Sequence, residues 1–144
     1  MERKQLKIGV RVGGGPPPGY CWDVGILDFA HSEALKGLNS DDQFDHIRDQ
    51  VRDLASANEP TLCPTLDVRS IENYYELRDK GGVLGNLNVR VFFHVDADRR
   101  CLIVLGFVLK KNDGPTLVGD KGRMRRRLRK YLNGDYGYLP ARCE

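Results

Sequence analysis

The chain has 144 residues, of which 40% are hydrophobic and 30% charged, with a formal net charge of +3. That balance belongs to an ordinary globular chain and excludes a low-complexity, collagen-like or disulfide-dense one. No apolar run approaches the roughly 20 residues a membrane helix needs; the longest, Cys101 to Leu109, is interrupted by Gly106.

One domain spanning 1–144 is expected, with 1–19 as an N-terminal extension and 133–144 as a tail. A chain of this size buries enough surface to fold without metal or disulfide staples. Met1 to Lys7 is charged and no apolar stretch follows, so no secretory signal is expected and the default location is cytoplasmic. The cysteines Cys21, Cys63, Cys101 and Cys143 lie about 40 residues apart and form no CxxC or CxxH pair. Zinc ligands come in short pairs because two leave one turn, so free thiols are expected, with Cys101 the most buried. His31, His46 and His94 add no metal constellation, and no cofactor is expected. Charge is polarised along the chain. Residues 1–75 carry 8 basic and 12 acidic side chains, residues 76–144 carry 15 and 8. Such a chain can turn a basic face to a polyanion, or its two halves can pair with each other.

In chain order, Leu6, Ile8, Val10 and Val12 alternate with polar residues or glycine and predict a strand, followed by a Gly/Pro loop over 13–19. The triple glycine lacks the lysine and helix start of a phosphate-binding loop, so it reads as a linker. Tyr20 to Leu27 predicts a second strand with Trp22, Val24 and Ile26 on one face. Ser32 to Leu38 predicts a short helix. Ser40 with Gln43 is a capping box, opening a helix to about Ala55 with Phe44, Ile47, Val51 and Leu54 on its inner stripe. Its aspartates, Asp41, Asp42, Asp45, Asp49 and Asp53, read as a solvated face. Asn58 to Ser70 contains Pro60 and Pro64 and reads as a loop. Three strands follow, Ile71–Arg78, Leu87–Val95 and Cys101–Leu109, the last two joined as a hairpin by Asp96–Arg100. The third is apolar on both faces, as a covered central strand should be. A final helix to about Leu132 carries Leu117 or Val118, Met124, Leu128 and Leu132 inside. Outside it carries Lys121, Arg123, Arg125, Arg126, Arg127, Arg129 and Lys130. The fold class is therefore α+β: a small antiparallel sheet of four to five strands, with two N-terminal helices packed on it and a basic C-terminal helix.

Three segments resemble those of RelE/HigB-like toxins of the RelE/ParE superfamily, over roughly residues 20–132 and most specifically 75–131. Tyr75-Glu76-Leu77-Arg78 is similar to the family's Y/L-E-L-R strand, and Val89-Arg90-Val91-Phe92-Phe93 to its Y-R-V-L-Y strand. Leu105-Gly106-Phe107-Val108-Leu109-Lys110-Lys111 is similar to its L-H-A-F-V-K-K strand, and Pro115 before a basic helix to its K-T-P entry. The chain departs where Val89 replaces a common tyrosine, where His94 stands at a usually aromatic or apolar position, and in the arginine content of its last helix. The resemblance implies the toxin of a toxin–antitoxin system: an mRNA interferase, that is, a metal-free endoribonuclease. It would act on ribosome-associated mRNA by 2′-hydroxyl attack on the adjacent phosphate. It further implies an antitoxin protein as partner; no membrane association is expected, because no apolar run is long enough.

That reaction needs a cation to meet charge on the phosphorane oxygens, a base and an acid. Alternation puts Arg90, Phe92 and His94 on one face, and Tyr74, Glu76 and Arg78 on one face of the neighbouring strand, so that Arg78 and Arg90 can share a face. Arg90 and Arg78 are assigned to the scissile phosphate, because the guanidinium fork matches it. Lys110 or Lys111 is assigned to flanking charge. His94 is the acid–base candidate, its pKa lying nearest neutrality. Tyr74 or Phe92 would stack a base. The basic helix (Lys121, Arg123, Arg125, Arg126, Arg127, Arg129 and Lys130) would contact RNA or the ribosome, with antitoxin binding as the next choice. Arg78 can instead pair with Glu76 or Asp79. On this reading Arg90→Ala leaves the fold intact, and neutralising Arg125, Arg126 and Arg127 weakens RNA binding. The alternative is a RelE-fold module without catalysis that binds nucleic acid or protein through its basic face.

Overall fold

A computed structural model describes residues 18–38, 40–63, 66–79, 88–110 and 116–133. The expected strand over 6–12 and loop over 13–17 lie outside the described residues, as do Lys111 and the tail beyond 133. The chain runs β1 (Asp23–Ile26), α1 (Asp28–Gly37), α2 (Asp41–Ser56), a short 3-10 turn (Pro60–Leu62), β2 (Asp67–Ser70), β3 (Tyr75–Asp79), β4 (Asn88–Asp96), β5 (Cys101–Lys110) and α3 (Val118–Leu132). The strands form one sheet in the order β1-β5-β4-β3-β2. The class is α+β.

The sheet is mixed rather than purely antiparallel. β1 lies parallel to β5, Asp23 opposite Cys101 and Ile26 opposite Val104, while the other pairings are antiparallel. A parallel neighbour fits the sequence of β5, whose residues from Cys101 to Phe107 are all buried and apolar apart from Gly106. Strands covered on both faces lose alternation, so an apolar run gives no hint of the direction of its partner.

α1 starts four residues before the expected Ser32. Its N-cap is Leu27, which offers no capping side chain, so the usual start signal is missing. Leu27 N–H instead donates to Val104 O at 2.9 Å, ending β1 and turning the chain into the helix. α2 begins as expected, the Ser40 hydroxyl accepting from Gln43 N–H at 3.3 Å. Ile47, Val51 and Leu54 are buried on its inner stripe. β2 falls within the segment expected to be loop. Four residues, two of them charged, give too short an alternation to register as a strand; pairing with β3 makes it one.

The two faces of the sheet are covered by different helices. A Cβ on Gly37 of α1 would meet Phe107, whereas one on Gly106 would land on Met124 of α3. Phe107 and Gly106 are consecutive strand residues and point to opposite faces. Val91, Val104 and Phe107 thus pack with Ile26, Ala30, Ala34, Ile47 and Val51 on one side. Met124 and Leu128 pack on the other. Leu117, Val118 and Leu132, expected inside α3, are exposed at 60%, 85% and 57%. The inner stripe is Met124, Arg127, Leu128 and Tyr131 instead. Glycine at 106 fits the close approach of α3, since a side chain there would have to push aside the end of the buried Met124 side chain and the Arg127 guanidinium.

Opposite Phe92 and Phe93 the ladder of β5 skips Leu105, because Phe92 pairs with Gly106 and Phe93 with Val104. This bulge occurs where β5 has outrun β1, which pairs only as far as Val104. Two side chains from helices satisfy the exposed edge: Glu33 Oε1 accepts from Phe107 N–H at 3.0 Å, and Arg127 Nη1 donates to Leu105 O at 2.9 Å. No helix among the described residues is long and apolar enough to cross a membrane.

Candidate functional site

The charged centre of the molecule lies on the α3 face, at the end of the sheet where β3 finishes and β4 begins. Arg78 stands directly opposite Arg90 in the β3–β4 ladder, and Glu76 opposite Phe92. The expectation that Arg78 and Arg90 share a face is therefore met. Between them sits Glu76, fully buried. Its Oε1 accepts from Arg78 Nε at 2.6 Å. Its Oε2 accepts from the Thr116 hydroxyl at 2.7 Å and from Arg90 Nη1 at 3.4 Å. Thr116 lies two residues before α3, so the hydroxyl ties the start of that helix to the arginine pair.

Alternation extends the cluster one strand further. Asp67 lies opposite Arg78 and Arg69 opposite Glu76, which places both on this same face at the sheet edge. Arg69 bonds Asp67 through Nε and Nη2 at 3.1 and 3.3 Å, in solvent. Five ionisable side chains and a threonine hydroxyl thus line three adjacent strands. The sequence alone does not single out Asp67 and Arg69, which fall in a segment that reads as loop, nor Thr116, which reads only as the entry to the last helix.

These arginines are not equivalent. Arg90 is 1% exposed and Arg78 9%. A buried guanidinium needs a counter-charge, and a buried carboxylate needs one as well. Glu76 and its arginines answer each other, so Arg90 is part of the packed interior. The expectation that Arg90→Ala leaves the fold intact is accordingly corrected. Arg78 engages Glu76 through Nε alone, at the margin of the cluster.

The remaining expected site residues are dispersed. His94 shares a face with Arg90, but four strand residues place it about 13 Å along β4. There Nδ1 lies 3.3 Å from Asn73 O and the ring meets Tyr131 edge-on. It does not join the arginine pair. Lys110 closes β5 opposite Asn88, two positions along from the Arg90–Val108 pair. Tyr74 and Phe92 are fully buried and pack edge to face, with Tyr74 O–H donating to Lys121 O at 3.2 Å. Neither ring is available for stacking on a base, because α3 covers both; burial pushes the Tyr74 phenol up to about 12.

α3 is basic in sequence, and three of its cations are paired in place. Arg127 is buried, and its two terminal nitrogens donate to the Glu33 carboxylate at 2.9 Å each. Arg123 bonds Asp120 at 3.0 Å and approaches Glu33 at 3.8 Å. Arg125 grips Glu72 bidentately at 2.8 and 2.9 Å, which holds the Glu72 carboxyl below its ordinary range. Lys121 also faces Glu72. Arg126, Arg129 and Lys130 remain on the exposed surface. The assignment of Arg127 to RNA contact is corrected, since its side chain holds the edge of β5 to α1.

At the far end of α3, Tyr131 O–H donates to Asp96 Oδ2 at 2.6 Å. Burial first, and that bond second, raise the phenol well above its usual range. Cys101, beside it on β5, is buried and its thiol is pushed up to about 12. Cys21, Cys63 and Cys101 are not in disulfides, and among the described residues no three His, Cys, Asp or Glu side chains gather to hold a metal.

No family model and no curated protein matches the chain. The functional reading therefore rests on the geometry and on the residues quoted above.

Proposed function

We propose that the protein is a RelE/HigB-like toxin, a metal-free endoribonuclease of the toxin–antitoxin type that cleaves mRNA on the ribosome. The observation that carries this reading is the arginine pair. Arg78 and Arg90 stand opposite each other on one sheet face and are oriented by a single buried carboxylate beside the start of a helix. Fixed guanidinium groups, aligned before substrate arrives, suit the dispersed negative charge of a phosphorane. The nearby N-terminal turn of α3 adds positive dipole, its N-cap Leu117 supplying no capping side chain, although Asp120 lies in the same turn. In this scheme the RNA 2′-oxygen bonds to the adjacent phosphorus as the bond to the 5′-oxygen breaks, solvent takes the 2′-hydroxyl proton and returns one to the leaving 5′-oxygen, and Arg78 stabilises the charge that builds on the phosphorane. An antitoxin partner follows from the same resemblance.

A second reading has its own support. His94 is remote from the arginines and Arg90 is sealed, which favours a RelE-fold module that binds nucleic acid or protein without cleaving. Induced expression in a bacterial host, with growth followed and mRNA ends mapped, separates the two. Arg78→Gln is the variant to compare, since Arg78 lies at the margin. The nuclease reading expects wild type to arrest growth and create new mRNA ends, and the variant to do neither. It fails if wild type leaves RNA intact, or if a folded Arg78→Gln protein is equally toxic.

A further inference from the structure

We propose that the protein assembles with further copies of itself head to tail, the acidic crest of α2 on one copy receiving the basic crest of α3 on the next. This assembly is independent of the nuclease reading. Helical spacing supplies the two surfaces. Asp42, Asp45, Asp49 and Asp53 recur at intervals of three and four residues, so they follow one line along α2. The line runs about 16 Å, at 1.5 Å per residue. It lies opposite Ile47, Val51 and Leu54, which are buried in the core, and Asp42, Asp49 and Asp53 on it are exposed. On α3, Arg126 and Arg129 stand three residues apart and opposite the buried Met124 and Leu128. Both arginines are exposed, and so is Leu132, three residues further on.

A second copy is the partner because the chain itself carries both halves of the match. Asp45 shares Arg48 within α2 at 2.8 Å, and Arg52 lies to the side of the acidic line, so carboxylates stay in excess there. Beside that line a cleft of about 550 Å³ opens between α1 and α2, lined by Ala34, Leu35, Leu38 and Phe44, with Asp41 and Asp45 also at its wall. A helix that carries cations next to an exposed leucine fits this surface. Leu132 enters the cleft, while Arg126 and Arg129 reach the carboxylates. The same acidic crest repels a nucleic acid. One copy cannot satisfy itself, because α2 and α3 cover opposite faces of the sheet. For the same reason two copies cannot use both surfaces on each other, so the contact is heterologous and growth does not close at a dimer. Solvated ion pairs are individually weak and are screened by salt, so the assembly belongs to low ionic strength.

Sedimentation velocity of the full chain tests this, at about 0.01 M and about 0.15 M salt, where charges are screened over about 30 Å and about 8 Å. At low salt the average mass of wild type should rise with concentration and pass that of a dimer; at the higher salt it should fall towards the monomer. Arg126→Glu with Arg129→Glu should be monomeric at low salt, and so should Asp49→Lys with Asp53→Lys. Mixed in equal amounts, these two variants should assemble again, because the reversed α3 crest of one meets the reversed α2 crest of the other. Arg99→Glu with Arg100→Glu makes the same change in net charge on the β4–β5 hairpin and should assemble as wild type does. Circular dichroism checks each fold; if the glutamates unfold α3, Arg126→Gln with Arg129→Gln takes their place and should weaken the low-salt assembly. Wild type that stays monomeric at low salt overturns the proposal, as does a mass that stops at the dimer. So does assembly that the α2 and α3 variants leave unchanged, a mixture that stays monomeric, or a hairpin variant that loses assembly as they do.

Discussion

Replacing Arg90 with alanine tests whether the charged centre is part of the interior. The side chain is 2% exposed and its partner Glu76 is fully buried, with Nη1 3.4 Å from Oε2. Removing one member of a buried pair costs about 3–5 kcal/mol, because the other charge stays buried. Here Glu76 keeps Arg78 at 2.6 Å and Thr116 at 2.7 Å, so the loss belongs at the lower end, about 3 kcal/mol. In a domain of this size that corresponds to a melting temperature lower by about 10 °C, and to a urea midpoint lower by roughly 1.5 M. Glu76→Gln should cost more, about 4–5 kcal/mol, since both arginines then lack their counter-charge. The two sites touch, so Arg90→Ala combined with Glu76→Gln should cost less than the separate losses together, by more than about 1 kcal/mol. Urea unfolding followed by circular dichroism measures all of these. An Arg90→Ala protein with the wild-type midpoint, or strictly additive losses, would refute the reasoning.

Other substitutions probe the same logic elsewhere. Arg127→Ala should destabilise by about 2–4 kcal/mol, because it uncovers Leu105 O and leaves Glu33 half-buried without its guanidinium, whereas exposed Arg126→Ala should stay within about 0.5 kcal/mol of wild type in the same urea titration. Tyr131→Phe removes the 2.6 Å bond to Asp96 and should cost about 1–2 kcal/mol, read as a lower melting temperature. The Tyr74 phenol is raised to about 12, so the folded state holds its proton above pH 10 while the unfolded state releases it; stability should fall as pH rises from about 10 to 12, and Tyr74→Phe should flatten that part of the curve. Cys101, buried with its thiol at about 12, should resist alkylation at pH 8 until the protein unfolds, whereas Cys21 and Cys63 label in the native state; peptide mapping by mass spectrometry distinguishes them.

Much of the fold was legible because the decisive signals were local. Ser40 and Gln43 announced α2, the alternation of Val89, Val91 and Phe93 marked β4, and Asp96–Arg100 marked the hairpin. The misses have local causes too. β2 was overlooked because a short charged edge strand owes its conformation to β3. The parallel placement of β1 could not be read from apolar residues that carry no direction. The inner stripe of α3 was misjudged because a buried arginine, Arg127, occupies a position where periodicity looks for leucine. At the site, the Arg78–Arg90 juxtaposition followed from alternation alone. Their shared dependence on Glu76 and Thr116 did not, since Thr116 is 40 residues away in sequence. His94 was chosen for its ordinary pKa, a chemical criterion blind to a separation along the strand.

The polarised charge of the chain takes on a different meaning once its contacts are traced. An acidic first half and a basic second half could serve to display a basic face to a polyanion. Yet Glu33 holds Arg127, Glu72 holds Arg125, and Arg123 divides its attention between Glu33 and Asp120, so much of the asymmetry is spent joining the N-terminal elements to α3. These bonds differ in kind. The Arg127–Glu33 pair is largely withdrawn from water and also completes the backbone of a bulged edge, so salt should weaken it little. The Arg125–Glu72 pair is solvated and should be screened. Cationic surface left for a ligand is therefore narrower than the count of basic residues suggests, and it must be sought where charges are exposed or held by weak partners. Among the described residues, Arg126 and Arg129 on α3 are exposed in this way.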